Sequence, residues 1–182
     1  MDAMTPAAPT IIPKITIARA EGLSASDISD LCAATEDAIE RGGGFGWLTP
    51  PPRPTLEAYW RGLMMVPGKH LFIARLDGII AGALQLHEAP KNMESQANIG
   101  YVQTGFTATA ARGHGIGRGL MVHVINQASA MGLKTLKLDV RETQDIAIRL
   151  YRKLGFIEWG RMPRYACLSG NWVAGLYFYL DL

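Results

Sequence analysis

The stretch Arg112-Gly113-His114-Gly115-Ile116-Gly117-Arg118-Gly119 guides the interpretation of the whole chain. Glycine stands at every second position from Gly113 to Gly119, so several main-chain N–H groups lack side-chain cover and can point at one ligand. A strand-like run over 98–107 precedes the stretch, and apolar residues at helical spacing follow it. A glycine loop between a strand and a helix start favours anions, because free N–H groups and the helix dipole both attract negative charge. The ligand that suits such a loop is a pyrophosphate.

The glycine spacing excludes two common phosphate-binding motifs. The dinucleotide pattern Gly-x-Gly-x-x-Gly fails because Arg118 and Leu120 occupy the positions where a third glycine is needed. The P-loop pattern fails because no Gly-Lys-Ser or Gly-Lys-Thr follows. The pattern that fits is Arg-x-x-Gly-x-Gly, with Arg112, Gly115 and Gly117. So short a motif also occurs in glycine-rich turns before ordinary helices, so a second signal is needed.

That second signal lies farther along the chain. A strand followed by a polar turn is indicated by Leu138-Asp139-Val140-Arg141-Glu142-Thr143-Gln144. A helix and its end are indicated by Ala147 and by Leu150-Tyr151-Arg152-Lys153-Leu154-Gly155-Phe156. Together with the glycine loop, this order resembles the two signature segments of the GNAT superfamily of N-acetyltransferases. The resemblance covers residues 70–182 well and the first third of the chain in outline. Gln144 stands where the family usually has Asn.

The resemblance implies an α/β fold of the GNAT type, in which a mixed, mostly antiparallel central sheet of about seven strands carries helices on both faces. The apolar patterns agree. They predict strands over 11–20, 69–76, 79–87, 98–107, 135–140, 156–168 and 172–180, and helices after Ser24, over 55–66, after the glycine loop and over 144–154. Asp77-Gly78 predicts a two-residue hairpin turn. We expect a flexible tail over 1–10 and a single domain over 11–182.

The resemblance also implies acetyl-CoA as the cosubstrate. The glycine loop would hold its pyrophosphate, and its pantetheine arm would run beside a bulge in the strand over 98–107, since a bulge leaves main-chain groups unpaired. The cofactor-binding residues implied in this way are Gly105, Phe106 and Thr107 at the bulge, Arg112, Gly113, His114, Gly115, Ile116, Gly117 and Arg118 in the loop, and Gln144.

Acetyl transfer to an amine requires a neutral amine, a stabilised oxyanion and a protonated leaving thiolate. In the family, the tyrosine of the Leu-Tyr-x-Lys segment lies near the cofactor sulfur, which makes Tyr151 the candidate acid. A phenol with a pKa of about 10 can donate to a thiolate with a pKa of about 8.5. Helical spacing alone favours the alternative that Tyr151 is simply packed, since it shares a helix face with Ala147 and Leu154. Asp139 is the candidate base, with a plain surface carboxylate as the alternative. Further candidates near the expected cleft are His87, Glu94 and Tyr101.

Composition restricts the partners. The net charge of +2 does not favour a nucleic-acid ligand, and no apolar run reaches the ~20 residues that a membrane helix needs.

Two cysteines are too few for a disulfide framework, which favours a reducing, cytoplasmic setting. Cys32 lies on an apolar helix face and is expected in the core. The histidines have no metal-like spacing, so no metal is predicted. Phe45 and Trp47, in a proline-rich loop, either contact the acceptor or cover the core.

Three functions remain open at this level. The first is an N-acetyltransferase that uses acetyl-CoA and acts on a primary amine of a small molecule or peptide. The second is a module of the same fold that binds acyl-CoA and senses or regulates without turnover. The third is a nucleotide-phosphate binder of another fold. The sequence does not identify the acceptor, and the apolar strand over 172–180 is compatible with a homodimer or with ordinary core packing.

Overall fold

A computed structural model of the chain describes residues 13–43 and 45–182, so the expected tail over 1–10 lies outside the described residues. The elements are β1 (Ile15–Arg19), α1 (Ala25–Glu40), α2 (Arg53–Met65), β2 (Lys69–Leu76), β3 (Ile79–Glu88), β4 (Ile99–Thr107), α3 (Ile116–Ala130), β5 (Thr135–Arg141), α4 (Asp145–Lys153), β6 (Ile157–Leu168) and β7 (Asn171–Asp181). Short 3-10 turns lie at Glu94–Gln96 and Thr109–Ala111. Within the described residues, no helix is both long and apolar enough to cross a bilayer.

The strands form one seven-stranded sheet in the order β1-β2-β3-β4-β5-β7-β6. Every neighbouring pair is antiparallel except β4 and β5, which run parallel. The predicted mixed, mostly antiparallel sheet of about seven strands is therefore confirmed. The order places β7 between β5 and β6, so the last two strands of the chain form a hairpin whose second strand lies inside the sheet.

Two apolar clusters, one on each face, hold the helices against the sheet. The first packs α3 and α4 onto one face and includes Leu120, Val124 and Phe178. The second packs α1 and α2 onto the other face and includes Leu31 and Trp60. Burial of a large apolar side chain contributes roughly 1.5–3 kcal/mol, so each cluster supplies a substantial driving force. Helices on both faces were expected, and this is confirmed.

Local sequence signals set several boundaries as predicted. Ser24 caps α1 through a reciprocal pair of bonds with Asp27, which is the capping box that the sequence suggested. Asp77 and Gly78 have φ values of 51° and 92°, as a tight hairpin turn between twisted strands requires. Cys32 is fully buried in the core, as expected. Helix α2 begins two residues earlier than predicted, since a proline is tolerated in the first turn of a helix.

The sheet opens in its middle. Strands β4 and β5 pair only from Ile99 to Tyr101, opposite Thr135 to Lys137. Beyond that point β5 stays paired with β7 up to Arg141, whereas β4 stays paired with β3. The two parallel strands therefore separate towards their carboxyl ends, and a gap opens between them.

Candidate active site

The gap between β4 and β5 is a cleft of about 610 Å³. Its walls come from β4, β5, α4, the end of β6 and the loop that joins α1 to α2. The lining residues are Phe45, Gly46, Leu48, Leu84, Val102, Gln103, Thr104, Gly105, Leu138, Asp139, Val140, Arg141, Gln144, Ala147, Tyr151, Tyr165, Ala166, Cys167 and Leu168. Four residues predicted from the sequence as site residues are thereby brought together: Gly105, Asp139, Gln144 and Tyr151.

A bulge shapes the β4 wall of the cleft. Phe106 pairs with Ala83 and Gln103 pairs with Gln85, so Thr104 and Gly105 together face a single residue of β3. Thr104 has a φ of 50°, a conformation that a β-branched residue rarely adopts. An added Cβ at Gly105 would lie 2.7 Å from the end of the Leu84 side chain, so Leu84 would have to move to make room for it. The bulge leaves main-chain N–H and C=O groups of β4 without their regular hydrogen bonds to the neighbouring strand at the cleft wall.

Beyond the bulge, Phe106 and Thr107 continue β4 towards the glycine loop. The Phe106 side chain is buried and packs 5.3 Å from the ring of Phe45, so only its main chain is available to a ligand. Thr107 lies next to Gly117 at the start of α3, where an added Cβ would be 3.6 Å from the Thr107 hydroxyl. The end of β4 and the start of α3 are therefore in direct contact.

The glycine loop leaves the start of α3 uncapped by a side chain. Gly115 is the residue before the helix and has a φ of 76°, and Gly113 has a φ of 84°. An added Cβ at either glycine would meet nothing within 4 Å, so the main chain faces open space there. The first main-chain N–H groups of a helix have no acceptor within the helix. The loop therefore presents unused donors beside the exposed side chains of Arg112 and Arg118.

Two neighbours fix the glycine loop. The Asp37 carboxylate on α1 accepts the main-chain N–H of Thr109 at 2.7 Å, and this bond lowers the pKa of Asp37. The ring nitrogen Nδ1 of His114 lies 3.2 Å from the carbonyl oxygens of Ala111 and Arg112, so it donates to them. His114 thus stabilises the loop by bonding two main-chain carbonyls of the loop and of the turn before it. The Ile116 side chain is buried in the core.

Tyr151 on α4 reaches the cleft from the α3–α4 face of the sheet. Its ring packs against Phe156 and Phe178, with centroids 5.9 Å and 6.0 Å away. Burial, and secondly the charge of Asp139, raise the pKa of Tyr151 to about 12. The phenol therefore keeps its proton at all ordinary pH values. Tyr151 is thus a packed residue that also lines the cleft, and its role as an acid stays a prediction.

Asp139 on β5 is bonded by a residue that the sequence did not suggest. The Tyr165 hydroxyl donates a hydrogen bond to Oδ2 of Asp139. Burial, followed by the bond to Asp139, raises the pKa of Tyr165 well above its ordinary value, so the phenol stays protonated as a donor. The carboxylate is thus held in place through one oxygen.

Tyr165 reaches Asp139 by crossing an intervening strand. It belongs to β6, and β7 lies between β6 and β5. Three residues of β6, from Pro163 to Tyr165, face only Ala174 of β7, so β6 is bulged there and the side-chain direction changes. A Cβ at Gly175 of β7 would overlap the Tyr165 ring, so the glycine creates the space through which the tyrosine passes.

The α1–α2 loop is tied to the cleft by two side chains. Nη2 of Arg141 donates to the carbonyls of Gly42 and Gly43 at 2.9 Å and 3.0 Å. The side-chain amide of Gln144 donates to the Gly42 carbonyl at 2.8 Å. The sequence suggested Gln144 as a cofactor contact, and in the structure its amide nitrogen holds this loop. Phe45 both packs in the core and lines the cleft, whereas Trp47 packs against the core cluster.

The other candidate bases lie outside the cleft lining, although Tyr101 is near enough to Asp139 that, after burial, this charge raises the pKa of the Tyr101 phenol. His87, Glu94 and Tyr101 are not among the residues that line the cleft. His87 bonds Gln85 at 2.9 Å, and burial lowers its pKa to about 4. His123 packs its ring 5.7 Å from Phe72 in the core. In the part of the chain that the structure describes, no group of three His, Cys, Asp or Glu side chains is arranged to hold a metal ion.

Comparison with known proteins identifies the family. The model of the acetyltransferase (GNAT) family matches residues 33–156, which extend from α1 through α4 and include the glycine loop and the cleft wall of β5. The chain belongs to the GNAT acetyltransferase family.

Individual relatives agree with this assignment. An uncharacterised N-acetyltransferase from the hisH–hisA intergenic region of Azospirillum brasilense is 48% identical over 130 residues, covering 71% of this chain and 77% of the relative. An N-acetyltransferase of Staphylococcus aureus Mu50 has the same fold, with a TM-score of 0.79 at 19% identity, covering 92% of this chain and 98% of the other. The structure of yncA from Salmonella typhimurium, with its cofactor acetyl-CoA, has a TM-score of 0.76 at 18% identity and coverages of 92% and 94%. The two solved structures show the fold, while the family match and the 48% identical relative confirm the prediction of an N-acetyltransferase.

Sequence reasoning missed several residues of the GNAT cleft. Gly175 leaves the space that the Tyr165 ring needs in order to reach Asp139. Thr104 has the unusual positive φ of the β4 bulge. Two residues could have indicated this part of the site: Pro163 within β6 and Gly175 within β7. Proline and glycine inside strands often mark bulges or close approaches of the backbone. Asp37 carried no sequence signal, since it is one acidic residue among several on α1.

Proposed function

We propose that this GNAT chain transfers the acetyl group of acetyl-CoA to a primary amine of a small molecule or peptide, by direct attack of the amine on the thioester. The observation that carries the proposal is the cleft itself. Separation of β4 from β5 brings Tyr151 and Asp139 into one cavity, and β4, which forms one wall of it at Gly105, continues to Thr107 beside the uncapped start of α3. A binding determinant for a diphosphate and two groups that can handle protons are thus adjacent.

The glycine loop fits the diphosphate of acetyl-CoA. Its donors are the uncapped N–H groups at the start of α3, with Gly113 and Gly115 leaving the approach open. Arg112 and Arg118 would add charge-assisted bonds to phosphate oxygens. Gly105, Phe106 and Thr107 would offer main-chain groups at and after the bulge to the amide-bearing arm. Acetyl-CoA supplies an acetyl thioester whose carbonyl carbon is open to an amine.

Asp139 is the residue that would hold the acceptor amine. Its Oδ2 already accepts the Tyr165 hydroxyl, so Oδ1 is the oxygen that remains for an amine hydrogen. A carboxylate attracts an ammonium group into the cleft and can take up the proton that the nitrogen releases. The Tyr165 bond fixes the direction of this carboxylate, which is what a group that aligns a nucleophile requires.

Tyr151 is the residue that would protonate the departing sulfur. Its raised pKa keeps a proton on Oη, so the donor form is populated throughout the working range of pH. The same shift makes it a weaker acid than a solvated phenol. We therefore assign it a hydrogen-bonding and proton-donating role of moderate size rather than a dominant one.

The test measures turnover and binding separately. Purified protein is incubated with acetyl-CoA and a panel of small and peptidic amines, and free thiol is followed, while calorimetry measures CoA affinity. We expect amine-dependent thiol release, at least tenfold slower in Asp139→Asn, with CoA affinity little changed. Binding of CoA without thiol release from a broad panel would instead support the sensor alternative. Tighter binding of ADP or NAD than of CoA would refute both.

A further inference from the structure

The cleft carries one negative and one positive side chain on the same strand face. Asp139 and Arg141 are two residues apart on β5 and both line the cleft. Side chains at positions i and i+2 of a strand project from one face, about 6.6 Å apart along the strand. The charge of Arg141 reaches the same neighbourhood, because it opposes the upward shift in the pKa of Tyr165.

Both charged groups keep unused bonding capacity. Tyr165 occupies Oδ2 of Asp139, which leaves Oδ1 for an amine. Arg141 uses only Nη2, in its bonds to the Gly42 and Gly43 carbonyls. A guanidinium has five N–H donors and no acceptor, so its remaining donors suit a carboxylate or a similar anion. Among the described residues, Arg141 belongs to none of the ion pairs.

Simple amines match only half of this arrangement. An ammonium ion drawn to Asp139 is repelled by Arg141, because two like charges within about 7 Å still interact in a partly buried cleft. A substrate that carries an anion a few bonds from its amine satisfies both groups. The anion would also fix the orientation of the amine, since an Arg–carboxylate contact is directional.

We propose that the acceptor is an amino acid or a closely related amino-carboxylate, with its amine at Asp139 and its anionic group at Arg141. This inference rests on the proposed function and names the substrate class of the same site. Acetylation joins the amine nitrogen to the acetyl carbon and breaks the acetyl–sulfur bond. The bound ammonium first gives one proton to solvent through the Asp139 carboxylate; the neutral nitrogen then loses one proton as the sulfur gains one, so the products are an N-acetylamino acid and CoA with a free thiol.

The experiment compares pairs of acceptors of matched shape, one with a carboxylate and one with a neutral carboxamide. Leucine, phenylalanine and β-alanine are each assayed beside their carboxamides at saturating acetyl-CoA, and kcat/KM is taken from thiol release. The carboxamides have the less basic amines, so chemistry alone favours them. We expect the acids to be at least tenfold better nonetheless. Equal values, or better carboxamides, in every pair would overturn the inference.

Variants separate anion recognition from loop support. Arg141→Gln removes the charge and should reduce the acid-to-carboxamide ratio at least tenfold, while Arg141→Lys should keep part of it. Gln144→Ala loosens the same loop at Gly42 without removing a charge, so it should slow both members of a pair equally and leave the ratio unchanged. A ratio that survives Arg141→Gln would show that Arg141 only supports the loop.

A binding measurement distinguishes failure of the inference from failure of the proposed function. Thermal shifts are recorded with CoA present and each acid or carboxamide added. If no amine releases thiol but the acids still stabilise the protein more than their carboxamides, the catalytic proposal fails and the recognition inference stands. If thiol is released from amines and the shifts are equal within each pair, the recognition inference fails and the catalytic proposal stands.

Discussion

Replacing Tyr151 with Phe tests the proposed acid with little disturbance of the fold. The ring of Tyr151 packs against Phe156 and Phe178 and is partly buried in the core beside the cleft. Phe keeps this ring and its contacts, so only the hydroxyl is lost. We therefore expect the melting temperature to fall by no more than about 6 °C, since conservative apolar replacements usually cost under about 1.5 kcal/mol.

The size of the catalytic loss follows from the pKa. Burial and Asp139 raise the pKa of Tyr151 to about 12, whereas a solvated tyrosine has a value of about 10. Two pKa units correspond to about 2.7 kcal/mol, so proton donation from Tyr151 is weaker by that amount. General acid catalysis contributes roughly 10²- to 10⁴-fold, and the weaker acid should lie at the lower end. We expect kcat to fall by about 10²-fold.

The assay follows thiol release for kcat and uses calorimetry for the affinity of CoA. CoA affinity should stay within about twofold, because the proposed diphosphate contacts lie elsewhere. Tyr179→Phe is the matched control: it removes a hydroxyl from β7, outside the cleft, and should leave kcat unchanged. A kcat for Tyr151→Phe within threefold of the unmodified protein, or a loss confined to CoA binding, would refute the role of Tyr151.

Three further predictions test other parts of the molecule. Gly117→Val places a branched side chain over the first main-chain N–H groups of α3, where the proposed diphosphate would bind. CoA affinity measured by calorimetry should fall at least about tenfold, and unchanged affinity would contradict the loop assignment. Tyr165→Phe and Gly175→Ala both remove the bond to Asp139, so each should lower kcat/KM for the amine by about tenfold, and unequal losses would refute the shared cause. His87 has a pKa of about 4 in the fold and about 6.5 when unfolded. Because the unfolded chain then binds a proton that the folded protein does not, the free energy of unfolding should decrease as pH falls from 6.5 to 4, by about 1 kcal/mol after allowance for partial exposure. Over that range the melting temperature of His87→Gln should fall by about 3 °C less than that of the unmodified protein.

Most of the fold could be predicted because its signals are local. The capping box of Ser24 and Asp27 and the turn at Asp77-Gly78 act over three or four residues, and the structure contains both. The spacing of apolar residues in strands and helices likewise indicates which nearby side chains are buried. The remaining boundary errors are one to four residues, where capping and pairing compete with propensity.

The candidate site was predictable only where it is encoded in contiguous residues. The glycine loop, Asp139 and Tyr151 lie in two short motifs, so the sequence pointed to them directly. The bulge could be expected near Gly105, but the strain at Thr104 depends on how β4 pairs with β3. Gln144 shows the limit of motif transfer, because its amide nitrogen bonds Gly42, 102 residues away in the chain.

The acceptor end of the cleft depends on strand register, which local patterns do not determine. Tyr165 meets Asp139 only because β7 inserts between β5 and β6, because β6 is bulged at Pro163 to Tyr165, and because Gly175 leaves space beneath the ring. A one-residue change in the pairing of β6 with β7 would turn the tyrosine to the other face of the sheet. Relatives that keep both short motifs can therefore differ at this end through changes in the last hairpin alone. Substrate choice among such relatives should follow the register of β6 on β7 more closely than it follows the glycine loop.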